Sequence, residues 1–575
     1  MEKNQNRFSK GLNFFWVIII TAMMLLGCGD DGEDGTDGTD GTNGVCVESP
    51  RLKSGLFLDS AVQGLSYVSG SLSGSTDQDG LYAYEEGTTV TFRIGDIVIG
   101  DNVSVKATMT PLDLVPGAQS YKDATVTNIL RFLQTIDDDL NPDNGILLQE
   151  EIGKNESLDF TLSQEEFADA AESLIDRIFP DQRDLVSAED AQQHFRLTLL
   201  NIPGSDIDLE MRQLISETVE TYDIPGAVMV IVTPDGLEWT GRSGVSDVIN
   251  DTSLTISTKF RSGSVTKSFT GMTIAQLVQE GVLSLDDSLE TWLPGVVPSP
   301  TPQEDASGEY TGYNANHITI RNLLHHTSGL FSFTDDMGFL MSYYTEPETQ
   351  MTPQELVDIA VSYSPLSYPE NPEFHYSNTN YVLLGMIIEE ATGNSWESEV
   401  RRRFTEPLGL YDTIVPETGE TVMPDRYSHG YVDLHEDTGG VIGEENILVD
   451  YSVLDPSLTW ASGNIISTPA DMAQWIRAVA EGELLDAENQ NMMMTDMYLM
   501  ETAPIEYGYG ITENLSYGLI GHKGHIIGYD SAMQYHQETR TVIAVTSNRN
   551  LPGGESVQNV ILLEALDILL DRTDS

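Results

Sequence analysis

Ser264 and Lys267 stand one helical turn apart in FRSGSVTKSF (260–269), the only Ser-x-x-Lys that the chain's nine lysines make. A serine hydroxyl is a weak nucleophile until a neighbouring base takes its proton. Val265, Phe269, Met272 and Leu277 recur at near-helical spacing, so Ser264 falls where a helix begins. A serine there is commonly just an N-cap. The same geometry also suits a nucleophile. The helix dipole favours negative charge developing on the hydroxyl, and i, i+3 spacing brings Lys267 to the same face. A lysine accepts that proton only if burial or cationic neighbours lower its pKa. Alone, the motif leaves both readings open.

Two further motifs follow. Tyr376-Ser377-Asn378, in FHYSNTNYVLLG, is the only Tyr-x-Asn; His522-Lys523-Gly524, in IGHKGHIIGYDS, is the only His-x-Gly and lies on a predicted strand. Singly, the first reads as a loop turn and the second as a satisfied strand histidine. Together with Ser264-x-x-Lys267, in this order and at these wide separations, they resemble the serine β-lactamase-like family. That family includes class C β-lactamases, D-alanyl-D-alanine carboxypeptidases and related esterases. ITIRNLLHHTSGL (318–330), ASGNIISTPADMAQWI (461–476) and YGYGI (507–511) also look like family segments. The resemblance covers residues 207–570 and says nothing about 1–200.

Carried over residue by residue, the resemblance implies Ser264 as the acylated nucleophile. Lys267 and Tyr376 would share the proton relay, the tyrosine as a phenolate beside a cation. Asn378 would bond Lys267 and the substrate amide, and His522 would supply charge or a proton across the cleft. Gly524 would leave room for a substrate backbone along the strand. The N–H groups of Ser264 and His525 would form the oxyanion hole. Where many penicillin-recognising members carry Thr or Ser to meet a substrate carboxylate, this chain has Lys523. That leaves the mechanism intact and the substrate open. His325 and His326 read as structural, because adjacent residues on a helix point apart. There is no Gly-x-Ser-x-Gly, which removes the common α/β-hydrolase arrangement. The chemistry calls for no metal or organic cofactor.

These residues need a scaffold. GAVMVIVTPDGLEWTGRSG reads as a hairpin with Asp-Gly at its turn, and YGLIGHKGHIIGYDSAMQYHQETRTVIAVTSN as three consecutive strands. Helical patterns lie between. The expected class is α+β for residues 207–575: a β-lactamase/DD-peptidase-like antiparallel sheet flanked by helices, with a helical insertion. Residues 46–200 form a further module. Its first part alternates apolar and polar residues between Gly/Asp turns, and resembles a β-rich module of exported bacterial surface proteins. TVTNILRFLQTI and SQEEFADAAESLIDRIF then read as helices. Between them, Asp139, Asn141, Asp143 and Glu150 fall at positions 1, 3, 5 and 12 of an EF-hand-like calcium loop. Asn144 occupies the position where such loops carry glycine, a place that requires a left-handed backbone, so a solvated acidic turn is the favoured reading.

The formal net charge of −63 argues against nucleic acid as a partner, since a polyanion would be repelled. Lys3, Arg7 and Lys10 precede the apolar stretch LNFFWVIIITAMMLLG, the pattern of a signal peptide. Leu25 to Cys28, LLGC, resembles the lipobox of bacterial lipoproteins. It implies cleavage of residues 1–27, lipidation of Cys28 and attachment to a membrane. An uncleaved anchor helix is the other reading, and both export the chain. Residues 28–45, rich in Gly and Asp, read as a flexible tether. Cys46 then has no intramolecular partner; a Cys28–Cys46 bridge applies if the lipobox reading fails.

The expected activity is an exported serine hydrolase, most simply a D-alanyl-D-alanine carboxypeptidase-like peptidase acting on a peptide terminus of peptidoglycan. An esterase or β-lactamase using the same site is the neighbouring reading. A surface binding protein with an inactive hydrolase domain is the reading from a different class.

Overall fold

The computed structural model describes residues 52–149, 151–179, 183–298, 303–304, 310–369, 372–444, 447–551 and 555–571. The expectations for the signal, the tether, Cys28, Cys46 and Glu150 fall outside the described residues. No helix among the described residues is long and apolar enough to cross a membrane.

GAVMVIV is apolar at every position because both faces of its strand are covered. Nine strands make the sheet around it: β1 (Gly226–Val232), β2 (Glu238–Asp247), β3 (Thr252–Ser253), β4 (Tyr498–Leu499), β5 (Ile505–Gly508), β6 (Ile511–Asn514), β7 (Leu519–Ile526), β8 (Tyr529–His536) and β9 (Thr541–Ser547). Their order is β3-β2-β1-β9-β8-β7-β6-β5-β4, with antiparallel neighbours throughout. The sheet is thus built from both ends of residues 207–575, with helices in the intervening sequence, as expected for this α+β class. The β1–β2 hairpin and the β7–β8–β9 meander follow the segments predicted for them.

Period-2 alternation divides the core. Val228, Val230, Met533 and Ala544 face one layer; Ala227, Met229, Ile231, Ala532, Ile543 and Val545 face the other. The first layer is the helical region, centred on Thr266–Gln279. That helix is buried nearly all round, its small Ser and Thr side chains included. Phe269 stacks on Trp475 with ring centroids 3.9 Å apart, and the Trp475 indole N–H donates to Ser268 Oγ at 2.8 Å.

Residues 52–179 keep a core of their own, around Phe57, Phe92, Phe132 and Phe167. The helix patterns read there correspond to Ala124–Thr135 and Gln164–Ile178, capped by Asp123 and Ser163. Helix Ala188–Leu200 instead enters the sheet's second layer. Its Phe195 and Leu200 join Met211, Ile215, Ile561 and Leu566. Arg196 donates to the carbonyls of Ile568 and Leu569 at the end of the last helix, where a cation complements the dipole. Leu52–Ser575 is accordingly one unit.

The acidic run does not make the loop that its spacing suggests. Gly145, not Asn144, carries the positive φ, at 101°. Asp139 accepts from Asn141 N–H at 3.1 Å and from Asn144 Nδ2 at 2.9 Å, while Asp143 lies 3.3 Å from His194 Nδ1. The side chains that would converge on an ion bind protein groups instead.

Because Phe195 is fully buried in a shared core, Phe195→Ala should cost about 3–5 kcal/mol. Calorimetry should register the loss as one transition moved to lower temperature. Two transitions, with only one displaced, would refute a shared core.

Candidate active site

Ser264 sits in a single 3₁₀ turn, Gly263–Val265, that runs directly into helix Thr266–Gln279. The turn must lie against β7. Gly263 has φ +51°, and a Cβ there would come within 2.8 Å of the His525 carbonyl and 2.9 Å of its nitrogen. Only glycine meets both demands. Gly524 has a role different from the one the family likeness implied. A Cβ on it would fall 1.9 Å from the Ser262 carbonyl oxygen, so the vacant space admits the nucleophile's own turn, not a substrate backbone.

Lys267 is fully buried, and burial lowers its pKa well below the usual lysine value. Its Nζ lies 2.6 Å from Asn378 Oδ1, 2.7 Å from the Ser462 carbonyl and 3.0 Å from Ser264 Oγ. The first two are obligate acceptors. A neutral amine fills them with its two N–H bonds and turns its lone pair to the serine hydroxyl. That is the geometry of a general base. Asn378 is held by donating from Nδ2 to Thr334 Oγ1 at 2.9 Å and from its backbone N–H to Ser332 Oγ at 3.1 Å. One of the two Nδ2 hydrogens is thereby used, which leaves the second for a substrate.

Tyr376 hydrogen-bonds Ser264 from the other side. Burial of the hydroxyl pushes its pKa up, partly offset by bonds to Ser264 and Tyr507. Its ring is 39% exposed along the cleft, so solvent moderates the rise. Burial thus moves both groups toward their neutral forms, away from a phenolate beside a cation. His522 is 3% exposed, and burial above all brings its pKa down to about 3. Its Nδ1 faces the Lys523 carbonyl, which fixes the proton there, so Nε2 accepts from the Tyr507 hydroxyl at 3.0 Å. His522 therefore brings an acceptor to the site, and no charge.

β6 pairs with β7 only from Leu519 to Gly521. From His522 onward that edge of β7 is open. The Ile526–Tyr529 pair closes a two-residue turn, and alternation from it directs the N–H groups of Lys523 and His525 to the open edge. Ser264 N–H, in the first turn of its helix, has no carbonyl a turn before it. The Ser264 N–H and the N–H of His525, whose backbone the Gly263 turn abuts, make a pair of donors available to an oxyanion. A cavity of about 510 Å³ runs along this edge, lined by Ser264, Tyr376, Tyr507, Lys523, His525 and Asp530 among others. Lys523 is exposed in it and has no ion-pair partner among the described residues.

Four contributors escaped the sequence reading: Ser462, Thr334, Tyr507 and His326. His326 is fully buried, with its ring centroid 4.4 Å from that of Tyr376. Its Nδ1 accepts from Ser377 N–H at 3.1 Å and Asn380 Nδ2 at 3.2 Å, so it holds the Tyr376 loop from beneath. Tyr507 and His326 lie in segments that were read as family-like without being given a role. His325 bonds the Asp496 carbonyl at 2.8 Å, away from the nucleophile.

A serine nucleophile with a buried amine base, on a helix that abuts an antiparallel sheet, is the architecture of serine acyl-transfer hydrolases. Residues 211–566 match the family model described as Beta-lactamase, and the chain belongs to that family. It is 27% identical over 346 residues to penicillin-binding protein 4* of Bacillus subtilis, spanning 59% of this chain and 71% of that one. A D-stereospecific amidohydrolase from Streptomyces is 32% identical, with a TM-score of 0.53 over 62% of this chain and 98% of its own. The D-amino acid amidase of Ochrobactrum anthropi is 26% identical, also with a TM-score of 0.53, over 64% and 98%.

Two outcomes follow from the electrostatics. Arginine keeps its proton in proteins, so Lys267→Arg should slow acylation by about 10²–10⁴-fold. In the wild type, acylation should fall as pH drops through the depressed lysine pKa, because the ammonium cannot accept a proton. A variant with an unchanged rate, by stopped-flow acylation, would remove Lys267 as the base. Asp530 is buried, and burial pushes its carboxyl up to about 7. The folded chain then keeps a proton that the unfolded chain loses above the ordinary carboxylate range, so this group costs stability as pH rises toward 7. The Tm of Asp530→Asn relative to wild type should therefore rise between pH 4 and pH 8. A flat difference would contradict the assignment.

Proposed function

We propose that this chain is a serine amidohydrolase that acylates Ser264 and cleaves amide bonds next to a D-configured residue. The favoured substrate is a D-alanyl-D-alanine-like peptide terminus. One observation carries the reading: buried Lys267 Nζ stands 3.0 Å from Ser264 Oγ and is otherwise held only by two obligate acceptors, Asn378 Oδ1 and the Ser462 carbonyl. Ser264 Oγ attacks the carbonyl as its proton passes to Lys267. The N–H groups of Ser264 and His525 bind the oxyanion. Tyr376 protonates the departing nitrogen and recovers a proton from Lys267; water then releases the acyl group by the reverse path.

The similar proteins support amide chemistry with D-stereochemistry, since two are named as a D-stereospecific amidohydrolase and a D-amino acid amidase and a third as a penicillin-binding protein. Exposed Lys523 favours the peptidase form, because a carboxypeptidase must recognise a terminal carboxylate and an amidase need not. Export and lipidation at Cys28 belong to this reading and rest on the amino-terminal sequence alone. They would bring the enzyme to peptidoglycan.

The test is the intact mass of the protein after exposure to a penicillin, alongside Ser264→Ala and assays on a D-alanyl-D-alanine peptide and a D-amino acid amide. A lasting adduct on wild type only, with peptide cleavage, is the expected result. Loss of the antibiotic without an adduct would make it a β-lactamase; cleavage of the amide alone would make it an amidase. Turnover that survives Ser264→Ala would overturn the reading. A wild type inert to every substrate would favour a binding role.

A further inference from the structure

Tyr507 is not needed to make the nucleophile, yet it is buried at the centre of the site. Its hydroxyl meets His522 Nε2 at 3.0 Å and lies close to the hydroxyls of Tyr376 and Tyr381. Its ring stands perpendicular to that of Tyr376, with centroids 6.1 Å apart, and edge-on to His522 at 5.7 Å. Its neighbours fix the direction of each bond. The Lys523 carbonyl holds the His522 proton on Nδ1, so Nε2 can only accept and the resting Tyr507 proton points to it. Tyr381 donates its own proton to the Leu324 carbonyl at 3.2 Å. The Tyr507 oxygen is thereby left to receive Tyr376.

We propose that Tyr507 is a positioning residue whose hydroxyl, resting on His522, turns to the Tyr376 oxygen as that oxygen gives its proton to the leaving amine. This rests on the acyl-transfer reading above. The balance is simple. As the C–N bond breaks, its electron pair stays on nitrogen, which takes the Tyr376 proton. The Tyr507 O–H bond stays intact and rotates, trading a hydrogen bond to Nε2 for one to the phenolate oxygen. Lys267 then returns the proton it took from Ser264 to Tyr376, and Tyr507 swings back. Without this donor, the phenolate would form in a buried site with one hydrogen bond fewer, where an unmet charge is costly.

The consequence depends on the leaving group. An anilide nitrogen must be protonated to depart; a p-nitrophenolate need not be. Tyr507→Phe keeps the ring and its packing and removes only the hydroxyl. The experiment compares wild type and Tyr507→Phe on D-alanine p-nitroanilide and D-alanine p-nitrophenyl ester. It adds the rate at which a fluorophosphonate labels Ser264, since fluoride also departs without a proton. On the anilide, kcat/KM should fall about 10–100-fold, at least tenfold more than on the ester or in labelling, with the loss in kcat more than in KM. Equal losses on anilide and ester, or no loss on the anilide, would overturn the inference. A wild type inert to both substrates and unlabelled at Ser264 would instead overturn the reading on which it rests.

Discussion

An amine buried without a counter-ion governs this molecule. Lys267 lies inside the helical layer, and burial is the cause of its lowered pKa. Had the fold placed a carboxylate beside it, the ammonium form would persist and the lone pair facing Ser264 would not exist. Such an arrangement is unfavourable unless the polar nitrogen is fully satisfied. The fold satisfies it with Asn378 Oδ1 and the Ser462 carbonyl, two acceptors that carry no charge. The helix that carries it is buried on nearly every side, which keeps the lysine from solvent.

Keeping the base neutral constrains the rest of the site. Burial moves the side chains around Ser264 toward their neutral forms: it raises Tyr376 and Tyr507 and lowers His326 and His522. On the proposed mechanism, the oxyanion forms opposite fixed backbone N–H groups where a low dielectric strengthens them. Those groups come from two elements, the serine turn and β7, and their spacing depends on Gly263 and Gly524. Each glycine removes a Cβ that would drive turn and strand apart. The sheet's double covering, including the layer reached by helix Ala188–Leu200, holds β7 rigid enough for that spacing to persist.

Much of this was legible in the sequence, and the boundary is physical. Side chains with distinctive chemistry at short spacings announced themselves, so Ser264, Lys267, Tyr376 and Asn378 were found and lie together. The strand signals also held, because apolar β1 and the two-residue turn of the β7–β8 hairpin are local properties. Ser462 acts through its carbonyl, which every residue has, and so leaves no trace in a sequence. His326 was set aside on the premise that neighbouring helical residues point apart. His325 instead ends its helix, and His326 follows with φ +57°, which turns its ring under Tyr376. Gly524 was given a purpose in the cleft when the crowding lay behind the strand. The acidic loop failed for a similar reason: spacing places carboxylates near one another, but a hydrogen bond to His194, about fifty residues away, decides where Asp143 points.

Charge then separates catalysis from recognition. The chain carries a formal net charge of −63, so a carboxylate-bearing substrate meets a repulsive field, screened over about 8 Å at physiological ionic strength. Within the cleft the balance is local. Lys523 is the exposed cation on the open edge of β7, and its alternation along the strand directs its ammonium away from His522 and toward Asp530. Lys267 is fully buried beside Ser264, with its pKa held low. Attraction for an anionic group is therefore concentrated at one side chain, one strand position from the residue that orders Tyr507. On the proposed reading, Lys523 and the carboxyl beneath it select among substrates, apart from the groups that move the proton.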